Sequence, residues 1–171
     1  WPKYTDGIIF SSPVVGDINN DNSPEIVIGL MYSSEIFPDY NYGGLYAFDK
    51  NGNILPGWPV EKGWNFWSTP ALGDINRDGD LEIITIKHTG NFIGSSHYDN
   101  VVIDIRHHNA SLMADSNDID TDIWYNSPIL ADIDSDGQSD ILAISTELYG
   151  YRIGYSYLYA WGSDGIVKKG F

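Results

Sequence analysis

Asp17-Ile18-Asn19-Asn20-Asp21-Asn22-Ser23-Pro24-Glu25 is the stretch on which the reading of this chain turns. It returns as Asp74-Ile75-Asn76-Arg77-Asp78-Gly79-Asp80-Leu81-Glu82 and as Asp132-Ile133-Asp134-Ser135-Asp136-Gly137-Gln138-Ser139-Asp140. Oxygen-bearing side chains stand at positions 1, 3, 5 and 9 of each loop. That alternation curls the loop until several hard oxygens converge on one point. Asn22, Gly79 and Gly137 hold position 6, where a sharp turn needs a positive φ. Hard oxygens on a flexible loop suit Ca²⁺ better than zinc or magnesium. An EF-hand would need a glutamate at position 12, and Ile28, Thr85 and Ala143 stand there.

The repetition extends beyond the loop. Ser11-Ser12-Pro13, Ser68-Thr69-Pro70 and Asn126-Ser127-Pro128 lead in, through Val14-Val15-Gly16, Ala71-Leu72-Gly73 and Ile129-Leu130-Ala131. Apolar runs lead out: Ile26-Val27-Ile28, Ile83-Ile84-Thr85-Ile86 and Ile141-Leu142-Ala143-Ile144. Leu45-Tyr46-Ala47-Phe48, Val101-Val102-Ile103 and Leu158-Tyr159-Ala160-Trp161 follow, then turn signals at Asp49-Lys50-Asn51-Gly52 and Ser163-Asp164-Gly165. Gly57-Trp58-Pro59 closes the first unit, and Trp1-Pro2 is the tail of the same motif. The first loop aspartates fall at 17, 74 and 132. Each unit reads as four short antiparallel strands, and units of this size read as propeller blades stacked face to face. The expected fold is an all-β partial propeller over residues 1–171, with blades at about 1–57, 58–115 and 116–171. Propellers close with four to eight blades. Three would leave two apolar faces bare, so further blades of the same parent chain, or other copies of it, are the expected partners.

Composition narrows the function. Among 171 residues, 42% are hydrophobic, enough for a packed core, and the net charge is −15. Three Ca²⁺ would bring that charge to −9. No basic patch is present to neutralise phosphates, which excludes a nucleic-acid partner. No apolar run approaches the roughly 18 residues of a membrane span. With no cysteine there is no disulfide, thiolate zinc site or cysteine nucleophile. Weak loop sites suit the millimolar calcium found outside cells, so an extracellular or cell-surface location is expected. No signal peptide is visible, and the start at Trp1 fits a mature or excised piece.

These features together resemble the FG-GAP/VCBS repeat family, known from the propeller heads of integrin α-chains. The form resembles that of bacterial secreted arrays. The shared elements are the Ser-Pro-x-x-Gly-Asp-Ile step, the acidic loop, Leu-Tyr-Ala-aromatic-Asp and Pro-Gly-Trp-Pro. The resemblance implies a calcium-binding extracellular propeller used for adhesion, recognition or scaffolding, with some members attached to peptidases or polysaccharide-degrading enzymes. By position it implies side-chain ligands Asp17, Asn19, Asp21 and Glu25 with the Ser23 carbonyl, and Asp74, Asn76, Asp78 and Glu82 with the Asp80 carbonyl. In the third loop it implies Asp132, Asp134, Asp136 and Asp140 with the Gln138 carbonyl. Up to three Ca²⁺ are expected, one per blade, in a structural role. Loop one, with three acids and Pro24 at position 8, is expected to bind most weakly. The second unit departs further: Arg106-His107-His108-Asn109 stands in place of the usual turn, and Ala114-Asp115-Ser116 in place of Gly-Trp-Pro.

The connections after the second strand are long and aromatic. Tyr32, Tyr40, Tyr42, Tyr98, Tyr151 and Tyr155 mark them as a candidate face for a glycan or surface protein, opposite the metal loops. Their mutual packing over the blade ends is the competing reading. Phe10, Trp67 and Tyr125 occupy equivalent places before the first strand, where they either pack between blades or line the axis. The four histidines form no His-Glu-x-x-His motif, no Gly-x-Ser-x-Gly occurs, and the loops are expected to recruit no histidine. A non-catalytic adhesion or recognition segment is thus the leading expectation. The propeller part of a secreted carbohydrate-active enzyme or peptidase, and a filamentous array of stacked blades, remain open beside it.

Overall fold

The computed structural model describes residues 1–5, 7–31, 44–60, 66–88, 100–116, 119–120, 126–149 and 152–168. Strands in each unit begin where the apolar lead-in meets the acidic loop. The first sheet is β1 (Val14–Gly16), β2 (Glu25–Leu30) and β3 (Gly44–Phe48). The second is β4 (Ala71–Gly73), β5 (Glu82–His88), β6 (Asn100–Arg106) and β7 (Leu112–Asp115), with β8 (Ile119–Asp120) also pairing with β6. The third is β9 (Ile129–Ala131), β10 (Asp140–Tyr149) and β11 (Arg152–Trp161). All pairings are antiparallel, and the described residues contain no helix. Among the described residues a regular fourth strand is present only in the second sheet. In the first the fourth position is marked by isolated bridges, Phe48 to Ile54 and Leu45 to Val60, and in the third by Trp161 to Val167.

The pairing aligns the three units residue by residue. Gly16 faces Glu25, Gly73 faces Glu82 and Ala131 faces Asp140. Ile26 faces Phe48, Ile83 faces Arg106 and Ile141 faces Trp161. Two expectations need correcting. The partner of Leu45-Tyr46-Ala47-Phe48 in the second unit is Ile103-Asp104-Ile105-Arg106, two residues beyond the expected start at Val101. The usual turn is also retained there. His107 N–H donates to Ser111 O and Ala110 N–H to His107 O, as Asp49 N–H does to Asn53 O and Gly52 N–H to Asp49 O. Ala110 takes φ 73°, the place of Gly52 at 77° and Gly165 at 74°. Left-handed alanine carries a steric cost of about 1–2 kcal/mol. Its buried methyl offsets part of that cost in the core between the first two sheets.

Strand alternation gives each sheet two faces. The forward face of one unit packs on the rear face of the next. Val27, Leu45 and Ala47 of the first sheet meet Leu72 and Ile83 of the second. Ile84, Ile86, Ile103 and Ile105 of the second meet Leu130, Ile141, Ala143 and Trp161 of the third. The glycine before each of the first two loops makes this approach possible. A Cβ on Gly16 would lie 2.8 Å from Leu72 Cδ1, and one on Gly73 would fall on Leu130. The rear faces of the first and third units carry stacked aromatic pairs, Tyr46–Phe48 and Tyr159–Trp161. In the second unit the same two places hold Asp104 and Arg106. Arg106 donates to both Asp104 oxygens, at 2.7 and 2.9 Å, and Lys87 Nζ lies 3.5 Å from the same carboxylate. All three are buried. A buried bidentate pair thus replaces an aromatic stack at one inter-sheet seam.

Hydroxyl groups link the units along their first strands. Ser12 N–H donates to Thr69 Oγ1 at 3.0 Å, and Thr69 N–H donates to Ser127 Oγ at 3.0 Å. One residue earlier, Ser11, Ser68 and Asn126 bond the backbone of β2, β5 and β10 at Gly29, Ile86 and Ile144. The closing tryptophan ties units too. Trp58 Nε1 donates to His108 O at 2.9 Å in the second unit's turn, and Trp1 Nε1 does the same to Lys50 O at 3.1 Å in the first.

Two substitutions test this stacking. A Cβ on Gly29 would lie 2.7 Å from Phe66 Cβ and 2.8 Å from its carbonyl oxygen, in the lead-in to the next unit. Gly29→Ala is expected to lower urea-measured stability by about 1–3 kcal/mol. Thr69→Val, which keeps shape but removes the acceptor, should cost about 1 kcal/mol, and Thr69→Ser should restore most of it.

Candidate metal centre

The three loops have one hydrogen-bonding scheme. The first aspartate accepts the N–H groups of positions 5 and 6. Asp17 binds Asp21 and Asn22, Asp74 binds Asp78 and Gly79, and Asp132 binds Asp136 and Gly137, all at 2.8–3.1 Å. Position 3 also accepts the position-5 N–H, through Asn19, Asn76 and Asp134. Position 5 accepts the position-7 N–H, through Asp21, Asp78 and Asp136. These bonds set the direction in which the position-7 carbonyls of Ser23, Asp80 and Gln138 can lie. Position 9 accepts the position-2 N–H, through Glu25, Glu82 and Asp140. The expected positive φ at position 6 is present at Asn22, Gly79 and Gly137. Position 4 takes the same conformation at Asn20, Arg77 and Ser135. No residue type marked that second left-handed site in advance, although asparagine tolerates it best.

The scheme leaves carboxylate oxygens converging. Asp132, Asp134 and Asp136 each offer an oxygen within 4.8 Å of the others, and Asp78, Glu82 and His107 offer a similar group. Two oxygens bound to one Ca²⁺ at roughly 2.4 Å can be no farther apart than about that distance. The donor set is oxygen-rich, hard and mostly anionic, so it fits Ca²⁺ in chemistry as well as spacing.

Burial dominates the electrostatics of position 9 in the first two loops. Burial pushes the Glu25 and Glu82 carboxyls above the ordinary carboxylate range, and neighbouring aspartates add to the push. The Ile18 and Ile75 N–H groups pull the other way. Asp78 is held below its ordinary value, first by the Asp80 N–H. The loops also meet cations of the chain. Lys168 Nζ lies 2.6 Å from Asp134 Oδ2 and also contacts Asp140 Oδ1. This pairing raises the lysine and lowers Asp134. In the second loop His107 Nδ1 lies 3.4 Å from Glu82 Oε1, and His108 Nδ1 lies 3.1 Å from Asp80 Oδ2. The expectation that the loops recruit no histidine is therefore corrected at the second loop. Once the retained turn is recognised, both histidines fall beside the loop, which is the signal that was missed.

Of the tyrosines expected to form a ligand face, Tyr32, Tyr40, Tyr42, Tyr98 and Tyr151 lie outside the described residues. Tyr155 is exposed on β11, beside the exposed Tyr157. Of the aromatic set before the first strand, Trp67 is buried, Phe10 is exposed, and Tyr125 lies outside the described residues. No helix among the described residues is long and apolar enough to cross a membrane.

Glu82→Gln separates metal binding from a purely internal role. Glutamine keeps an acceptor for Ile75 N–H and removes the buried charge. In chelator the variant should be as stable as the parent or more so, because the buried carboxylate is disfavoured in the folded chain. With calcium present it should lose the added stability that the second loop supplies. An equal calcium-induced shift in Tm for parent and variant, each measured against its own chelator curve, would rule out a metal at this loop.

Comparison with known proteins supports the repeat at the level of sequence. A family model described as FG-GAP-like repeat matches residues 17–85, the first acidic loop through the strand that follows the second. No curated protein and no solved structure matches the chain.

Proposed function

We propose that this chain is a calcium-stabilised, propeller-type segment that serves adhesion, recognition or surface assembly rather than catalysis. The observation that carries the reading is the triple recurrence of one loop in one scheme, each copy seated between the first two strands of a stacked sheet. A bound Ca²⁺ in each loop would be held by the side chains at positions 1, 3, 5 and 9 and the carbonyl at position 7. It would neutralise the cluster and hold the turn. This role is structural, because the ligands are consumed in holding the loop's shape.

The proposed blades are those read from the sequence, at about 1–57, 58–115 and 116–171. The stacking of the sheets supports further units as partners. The forward face of the third unit exposes Ile129, Ile144 and Leu158, the counterparts of residues covered in the first two units. At the other end Val15, the counterpart of Leu72 and Leu130, is exposed. Further units of the same kind, from the parent chain or other copies, fit the third unit's forward face; the rear face of the first unit is largely covered, with Tyr46 and Phe48 buried. An extracellular or cell-surface setting supplies the calcium. The Tyr155–Tyr157 edge remains the described part of the surface suited to a glycan or protein.

Thermal unfolding in calcium, magnesium and chelator tests the reading. Ligand at a hundredfold over its Kd adds about 2.7 kcal/mol per site. For a chain of this size that shifts Tm by roughly 5–10 °C for each filled loop. Magnesium, which demands tighter octahedral geometry, should do much less. A Tm indifferent to calcium would sink the proposal. Glycan-array binding alongside hydrolase and lyase assays separates recognition from turnover.

A further inference from the structure

The third loop differs from its two counterparts in a paired way. Position 3 is Asp134 in the third loop, against Asn19 and Asn76 in the others. In the strand position that follows the turn, the third unit has Lys168, where the pairing puts Leu55 and Met113 in the first and second. The unit with the additional carboxylate is thus the unit with the additional cation. The two meet: Lys168 Nζ contacts Asp134 and Asp140, which hold positions 3 and 9 of the loop, although the lysine lies 34 residues from Asp134. Lys168 N–H is itself anchored by Ala160 O at 2.8 Å, so the side chain leaves the backbone at a defined place. The ammonium also borders a cavity of about 200 Å³ shared with Asp136, Gln138, Asp140 and Asp164. The side chain therefore has a polar space to move into without leaving the surface.

We infer that Lys168 is an internal counter-ion of the third loop that competes with the metal there. Occupation of the loop by Ca²⁺ requires the ammonium to give up Asp134 and Asp140, because two cations repel at such separations. The lysine then serves two ends. It holds the loop's carboxylates together when calcium is absent, and it raises the calcium level at which the third loop fills above that of an unopposed four-carboxylate site. The first two loops, with no lysine at this place, lack the device. The inference rests on the calcium reading proposed above.

Calorimetric calcium titration of the parent chain, Lys168→Met and Lys168→Arg tests it, with melting curves in chelator. Lys168→Met should tighten one of the sites on the order of tenfold, the effect of removing a unit charge a few ångströms from a divalent ion. In chelator the same variant should melt earlier than the parent. Lys168→Arg should keep the parent's weaker site and its chelator stability. The double variant Asp134→Asn, Lys168→Met recreates the charge pattern of the first loop and should fold in chelator without the lysine. Calcium binding by the parent with unchanged affinities in Lys168→Met would overturn the inference while leaving the calcium reading intact. Absence of calcium binding by the parent and both single variants would overturn both.

Discussion

The carboxylate at loop position 9 is the constraint on which each unit depends. Glu25, Glu82 and Asp140 are buried at the start of the second strand, yet each must stay beside two or three further carboxyl groups. The backbone supplies one N–H, from Ile18, Ile75 or Ile133, and hydrogen bonds to charged acceptors of this kind are worth about 1.5–3 kcal/mol. That is not enough to hold Glu25 and Glu82 at an ordinary carboxylate value. Burial at position 9 therefore costs more than the backbone bond returns in the first two loops, and in the third Lys168 stands against the same acid.

The loop's local shape also sets the wider architecture. By fixing the angle between the first two strands, the loop fixes where the small residue before it points. Gly16 and Gly73 then admit a leucine of the following sheet, and the sheets close to contact distance. The hydroxyl ladder from Ser12 through Thr69 to Ser127 lies in the lead-ins to the same strands and links them from unit to unit. Close approach and linkage are thus achieved by the segment that leads into the acids. A change in one loop should be felt at the seam beside it.

The parts legible in the sequence are those whose physics is local. Oxygens at alternate positions and glycine at position 6 announce the loops, and apolar runs on either side announce the strands. The second unit was harder to align because its usual marker was replaced. Tyr46–Phe48 and Tyr159–Trp161 advertise the third strand, but Asp104–Arg106 does the same job by pairing within the seam. Two charged residues on a strand look solvent-facing until their partnership is seen. Ala110 hid the turn for a similar reason, since alanine rarely adopts the conformation glycine takes there. Lys168 could not be assigned at all, because the fold alone brings it to Asp134.

The three loops also show how a repeat diversifies without losing its frame. Backbone N–H groups do the same work in each, so the side chains around them are free to vary in charge. The first loop limits repulsion with a neutral asparagine, Asn19. The second keeps the asparagine but adds Asp80, and two histidines stand against its acids. The third exchanges asparagine for Asp134 and answers with Lys168. Each added carboxylate is matched by a basic group delivered from the turn or strand of the same unit. Those deliveries come from the turn after the third strand and from the fourth-strand position that follows it, at the outer edge of each sheet. The exposed side chains of that edge can change from unit to unit, while the backbone of the turn and Ala110 stay committed to the seam.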